Sequence, residues 1–179
     1  MNFLRKKSIF LLFGRISLLV FVSLSLSGQN KYESITTADG LSQGMVFDML
    51  QDKEGFIWIA TKDALNRYDG YEFKVFTNDP FNNLSLSYNT VVRLFEDSKG
   101  RIWAGTENSG LNIYDKKKGV FFRLESSPTN SNSISGNNIR AIEELPDGRM
   151  LISTVGNGLN IITLPDDLFE KNMTPGIIK

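Results

Sequence analysis

The stretch DSKGRIWAGT, residues 97–106, repeats with few changes a stretch 45 residues earlier, DKEGFIWIAT, residues 52–61. Sliding the sequence on itself by 45 pairs Asp52 with Asp97, Gly55 with Gly100, Ile57 with Ile102, Trp58 with Trp103 and Thr61 with Thr106. The match extends upstream to Leu41 with Leu86, Ser42 with Ser87 and Val46 with Val91. A further shift of 48 brings in a third copy, pairing Gly100 with Gly148, Thr106 with Thr154 and the run 110–113 with 158–161. Leu151 stands in this copy where the other two have tryptophan.

Each copy reads as four short strands rich in branched and aromatic residues. In the second they fall near residues 91–96, 101–106, 111–114 and 120–124. Glycines at 55, 100 and 148 close the runs DKEG, DSKG and LPDG, where a tight hairpin needs a positive φ; Asp69-Gly70 and Gly119 do the same for the next hairpin. Strand runs such as FIWIAT are apolar on both faces, so the sheet is covered on both sides. Four strands recurring every 45 to 48 residues, with a tryptophan at a fixed place, predict an all-β fold of β-propeller blades. A β-sandwich would not require strands to recur in groups of four.

Propellers close with four to eight blades, so about three four-stranded blades form an incomplete part of a larger ring. The segment KYESITT, residues 31–37, precedes the first Gly-Leu-Ser much as VFFRLES precedes Ser-Ile-Ser, and it reads as the outer strand of a blade whose other three strands are missing. The expectation is either the front piece of a longer protein or assembly with copies of itself. The domain reading is a signal peptide over 1–28, an outer strand plus blade 1 over 29–77, blade 2 over 78–125, and blade 3 with the start of the next over 126–179.

The opening residues carry an address. MNFLRKK is basic, and an apolar run follows with Arg15 inside it. Ser25, Ser27 and Gly28 supply small residues for cleavage. Arg15 leaves residues 16–26 as the uninterrupted apolar core, short for a span, which favours a secretory signal peptide over an uncleaved anchor. All four charges in residues 1–28 are basic, so the remainder has 16 basic against 20 acidic residues. That balance argues against nucleic acid or an anionic membrane surface as partner. With no cysteine, disulfides, thiolate metal sites and a lipidated anchor are excluded; with no histidine, the commonest general base and any phospho-accepting histidine are absent. No metal or cofactor is implied.

Several motifs invite chemistry. Trp58 and Trp103 could stack on sugar rings, but their place in a repeated inner strand makes them core. Asp52 and Asp97 lack the ligand spacing of a calcium loop and read as turn formers. Glu143-Glu144 and Asp166-Asp167 are adjacent pairs, which does not give the facing geometry of a glycosidase. The Lys116–Lys118 run reads as a solvated hairpin tip, and Asn83, in an Asn-Leu-Ser acceptor pattern, as a turn residue.

If the strands run outward from an axis, the entry loops and the second-to-third-strand loops share one end. Ser42, Gln43, Tyr88, Asn89, Asn137 and Asn138 fall on the entry loops, and Lys62, Asp63, Glu107, Asn108 and Asn157 on the second-to-third loops. Amides, a phenol and a few charges suit a hydroxyl-rich ligand. Gly55, Trp58, Thr61, Gly100, Trp103, Thr106, Gly148 and Thr154 are assigned to the structural repeat, and no residue to catalysis.

The string GLSQGMVFDMLQDKEGFIWIATKDALNRYDG, followed by SLSYNTVVRLFEDSKGRIWAGTENSGLNIYD, resembles the two-component regulator propeller repeat. The resemblance covers about residues 31–164. Its most specific letters are Ser85 to Asn89, Asp97 with Gly100, Ile102 to Thr106, and Gly110-Leu-Asn followed by Tyr114-Asp115. It implies the periplasmic sensor portion of a hybrid histidine kinase of Bacteroidetes type, responding to oligosaccharides and controlling polysaccharide-utilisation genes. Kinase, membrane span, homodimerisation and any contact with DNA would belong to the remainder of such a protein. The alternatives are a structural or protein-interaction propeller without a small ligand, and part of a propeller enzyme acting on glycans.

Overall fold

A computed structural model describes residues 32–165. After one 3₁₀ turn, Thr37–Asp39, the chain makes eleven strands. Blade 1 holds β1 (Val46–Gln51), β2 (Ile57–Thr61), β3 (Leu65–Tyr68) and β4 (Phe73–Phe76). Blade 2 holds β5 (Val91–Glu96), β6 (Ile102–Thr106), β7 (Leu111–Asp115) and β8 (Val120–Leu124). Blade 3 holds β9 (Ile139–Glu144), β10 (Met150–Thr154) and β11 (Gly158–Ile162). Within each blade the strands pair antiparallel in chain order, as hairpins require, and all eleven lie in the compact unit that begins at Ile35.

Two expectations meet the described residues only in part. The third sheet has three strands among the described residues, and the position of a fourth lies outside them. Tyr32–Thr36, the described part of the expected outer strand, is unpaired and exposed. An extended segment becomes a strand only against a partner edge, and none meets it among the described residues. The signal-peptide segment and Asp166-Asp167 lie outside the described residues. Among the described residues no helix is long and apolar enough to cross a membrane.

Blade 2 shows why its strands are apolar on both faces: every residue of β6 and β7 is buried. Ile102, Ala104, Tyr114 and Phe121 pack toward blade 1 against Trp58, Ala60, Leu65, Phe76 and Leu86. Trp103, Leu111 and Ile113 point the other way, into a second cluster with Ile139, Met150, Ile152 and Ile162 of blade 3. The period of two along each strand thus feeds two inter-blade cores at once. Trp58 stacks on Phe76, ring centroids 5.7 Å apart, and meets Tyr114 edge-on at 5.3 Å. Such pairs add to the large apolar area that an indole removes from water. The inner strands β1, β5 and β9 lie side by side, with the Leu94 amide donating to Asp48 Oδ2 at 2.9 Å and Arg93 Nε to the Arg140 carbonyl at 2.8 Å.

A polar link recurs in all three blades. In blade 2 the Ser87 amide donates to Asn112 Oδ1 at 2.9 Å, and Asn112 Nδ2 donates to Ser87 Oγ at 2.8 Å. Ser42 with Asn66 and Ser135 with Asn160 do the same. Each asparagine also donates to a carbonyl of its second strand: Ile59, Ala104 and Ile152. Asn66 and Asn112 are fully buried, so these bonds are required to offset the loss of water. This is the physical content of the repeated Ser and Leu-Asn letters.

Candidate functional site

The register decides which loops share an end. Val46 opposes Thr61 and Leu65 opposes Phe76, so the entry segment and the β2–β3 loop lie at one end, and the β1–β2 and β3–β4 turns at the other. Blades 2 and 3 follow the same rule, with Val91 opposite Thr106 and Ile139 opposite Thr154. At the loop end, backbone bonds tie each second-to-third loop to an entry segment: Lys62 N–H to the Met45 carbonyl, Glu107 N–H to Thr90, and Val155 N–H to Asn138. Thr90 Oγ1 donates to the Lys62 carbonyl at 2.9 Å, and the Gly110 amide to the Asn137 carbonyl at 2.8 Å, so neighbouring blades are stitched together here.

The expected ligand residues separate into two groups. Lys62, Asp63, Glu107, Asn108 and Asn157 are exposed on the loop end, whereas Tyr88, Asn89, Asn137 and Asn138 are half-buried. The oxygens of two asparagines are committed to the fold: Asn89 Oδ1 accepts the Asn78 amide and Asn137 Oδ1 the Ser126 amide, both at 2.7 Å. Each thereby pins the linker eleven residues upstream. Asn157 Nδ2 donates to the Val155 carbonyl and packs against Gly136, where a Cβ would lie 2.6 Å from that nitrogen. Ser42 is part of the buried polar link, bonding Thr61 Oγ1 and Asn66, and does not present itself to a ligand. Gln43 turns its oxygen back onto the Met45 amide.

The opposite end holds a second repeated device, in which the turn aspartates do more than form turns. Asp97 Oδ1 accepts the amides of Lys99 and Arg101, while Oδ2 accepts the Trp103 indole N–H at 2.8 Å. Asp52 repeats this with the amides of Glu54 and Phe56 and the indole of Trp58, also at 2.8 Å. Both carboxylates and both indoles are buried, so the aspartates fasten the hairpin to the inter-blade core and Trp58 and Trp103 offer no face to a sugar. The Asp-x5-Trp spacing was the available signal. In the third copy Leu145 and Leu151 replace both partners together, and the backbone bonds of the turn persist. Glu144 sends both oxygens to Ser98, so it too is committed to the fold.

The Lys116–Lys118 run is not uniformly a solvated tip. Lys116 Nζ reaches across the seam to Asp52 Oδ2 at 3.1 Å and Glu54 Oε1 at 3.2 Å in blade 1, and to Glu96 Oε1 at 3.4 Å. It does so because the β7–β8 turn of blade 2 lies over the β1–β2 turn of blade 1, where buried Asp52 requires a counter-charge. Burial pushes the Asp52 carboxyl upward, but the Trp58 indole, Lys116 and the Phe56 amide together hold it below its usual value. Desolvation likewise depresses Lys116, but Asp52 and Glu54 outweigh it and raise its value. A depressed carboxyl contributes stability above its unfolded value, near pH 4, which is lost as pH falls through the folded value. A raised lysine contributes below about pH 10.5 and loses that contribution as pH rises further. Lys116→Met should therefore flatten both the acid and the alkaline limbs of the stability profile. Urea unfolding at about pH 3, 7 and 11 checks this; parallel profiles for the two proteins would refute the clamp.

Comparison with known proteins follows the repeat. The model of the two-component regulator propeller family matches residues 40–63 and 85–108. A histidine kinase of Formosa agariphila, Histidine kinase P4, is 43% identical over 75 residues, which is 40% of this chain and 6% of the kinase. Two solved extracellular domains of B. thetaiotaomicron, both described as parts of hybrid two-component systems, share the fold. One superposes with a TM-score of 0.68 at 24% identity over 73% of this chain and 18% of its own, the other at 0.62 and 21% over 83% and 21%. The chain thus spans about a fifth of the solved chains it resembles and a far smaller share of the kinase.

Proposed function

We propose, from the premise that this chain carries two-component regulator propeller repeats, that it is a non-enzymatic, periplasmic ligand-sensing segment of a two-component sensor responding to oligosaccharides. The observation that carries this is the loop end. Lys62, Asp63, Glu107, Asn108 and Asn157 stand exposed on three successive blades, on loops fastened by backbone bonds, while most other polar side chains of the repeat are spent on the fold. Such a surface offers many hydrogen bonds on a fixed frame, which is what a hydroxyl-rich ligand needs.

A ligand spanning loops of two blades has differential affinity for arrangements that change their spacing. That difference biases the equilibrium of a sensor dimer and, through the membrane, its kinase. Histidine phosphotransfer would belong to the rest of such a sensor, since these 179 residues contain no histidine. The regulated genes would be those for use of the polysaccharide from which the ligand derives.

The test is calorimetric titration of the complete exported protein with a panel of neutral oligosaccharides. A hit should weaken about tenfold or more in Asp63→Ala, Glu107→Ala and Asn157→Ala, a loss of about 1.4 kcal/mol. A panel that stays silent would favour a structural or protein-interaction propeller, and a hit indifferent to all three changes would put the ligand away from the loop end. Turnover of any glycan would instead make it part of an enzyme.

A further inference from the structure

At the end opposite the loops, a groove of about 810 Å³ runs along the seam between blades 1 and 2. Its size falls within the range of small-ligand sites. Six cations line it, Lys53, Lys99, Arg101, Lys116, Lys117 and Lys118, against the carboxylates of Glu54, Glu96 and Asp115. This is more than a third of the basic residues that follow position 28, gathered in one place by a stretch that is net acidic.

Two of the carboxylates at the groove, Glu54 and Glu96, are already paired with Lys116, while Asp115 Oδ1 accepts the amides of Lys117 and Lys118, neutral donors that leave its charge in place. Buried Asp97 takes Arg101, and buried Asp52 takes Lys116. Lys53 differs from both cations. Its ammonium donates to the carbonyl oxygens of Asp97 and Ser98, at 2.9 and 3.1 Å, so it is fixed at the seam by neutral partners that leave its charge in place. Lys53, on the β1–β2 turn, and Lys117, on the β7–β8 turn, are both exposed. A positioned ammonium in a concave, partly desolvated site attracts an anion more strongly than one on an open surface.

We propose that this groove binds an anionic ligand, the carboxylate or sulfate groups of an acidic oligosaccharide, with Lys53 and Lys117 as the contacting cations. That the anion is carried on a saccharide rests on the sensing role proposed above; that it is an anion rests on the groove itself. The site is separate from the loop end, so the two ligands would not compete.

The experiment titrates the complete exported protein with an oligogalacturonate, a sulfated dextran oligomer, a neutral dextran oligomer and polyglutamate, at low and at moderate salt. One or both acidic saccharides should bind at least about tenfold tighter than the neutral one, and weaken with salt. Lys53→Gln and Lys117→Gln should each reduce that affinity several-fold. Lys117→Gln alters only an exposed side chain and keeps the test decisive if Lys53→Gln loosens the turn. Acidic binding that the neutral oligomer competes away, or that is indifferent to both changes, would overturn the proposal. So would polyglutamate binding tighter than either saccharide, which would give the groove to an acidic peptide. Neutral-oligosaccharide binding at the loop end should be unchanged in both variants, so failure of one site is distinguishable from failure of the other.

Discussion

Asp97→Ala should lower the stability of the chain by about 3–5 kcal/mol, read from urea or guanidinium unfolding. The carboxylate is wholly buried and serves four donors: the amides of Lys99 and Arg101, the Arg101 guanidinium and the Trp103 indole. Alanine removes the shared acceptor and leaves a buried indole N–H and a half-buried guanidinium without it, a larger cost than the net worth of any one bond. Trp103→Leu alone should also be costly, because it opens space in the core between blades 2 and 3 and strands the carboxylate. The double change Asp97→Leu with Trp103→Leu should cost clearly less than the sum of Asp97→Leu and Trp103→Leu made singly, by about 1–3 kcal/mol. Blade 3 already has this combination in Leu145 and Leu151, with the turn bonds from the Leu145 and Gly148 amides intact. Additive costs, or an Asp97→Ala loss below about 1 kcal/mol, would mean that the carboxylate is only a turn former.

That distinction also marks how far the sequence could be read. The repeat of Asp, Gly, Trp and Thr set the strand order and the blade period, because hairpin glycines and alternating apolar residues are local requirements. The end on which each loop lies followed from strand polarity alone. What remained hidden depends on neighbouring blades. Lys116, Lys117 and Lys118 are alike as letters, and only the stacking of one blade's turn on another's selects Lys116 for Asp52. Asn89 and Asn137 looked like ligand amides, since asparagine in a loop has the same letter whether its oxygen faces solvent or a linker amide. Ser42 went the same way: its partner Asn66 is 24 residues distant and approaches it only once β3 is paired. Tyr32–Thr36 had the composition of a strand, but pairing is a property of two segments, and composition describes one.

Gly110→Ala should cost about 2–5 kcal/mol, combining strain from a left-handed backbone with displacement of a neighbouring strand. Gly110 has φ +69°, and a Cβ there would lie 2.2 Å from the Leu124 carbonyl oxygen and 3.2 Å from the Glu125 Cα. These are backbone atoms at the end of β8 and cannot rotate aside. The same residue donates its amide to Asn137 of blade 3, and its carbonyl accepts both the amide and the hydroxyl of Thr106. Moving it therefore disturbs the loop that carries Glu107 and Asn108 together with the stitch between blades. Gly100→Ala is the control: its φ is +77°, but the nearest atom to a Cβ is a Glu96 carboxylate oxygen at 3.7 Å, so only strain of about 1–2 kcal/mol applies. Blade 1 meets the same need without glycine. Its loop is one residue shorter, and the Ala64 carbonyl takes both bonds from Thr61 at a negative φ. The longer loop of blade 2 projects Glu107 and Asn108 and is closed by Gly110. Equal losses for Gly110→Ala and Gly100→Ala would show that β8 yields. A greater loss at Gly110, accompanied by weaker oligosaccharide binding, would tie the ligand face to this one close approach.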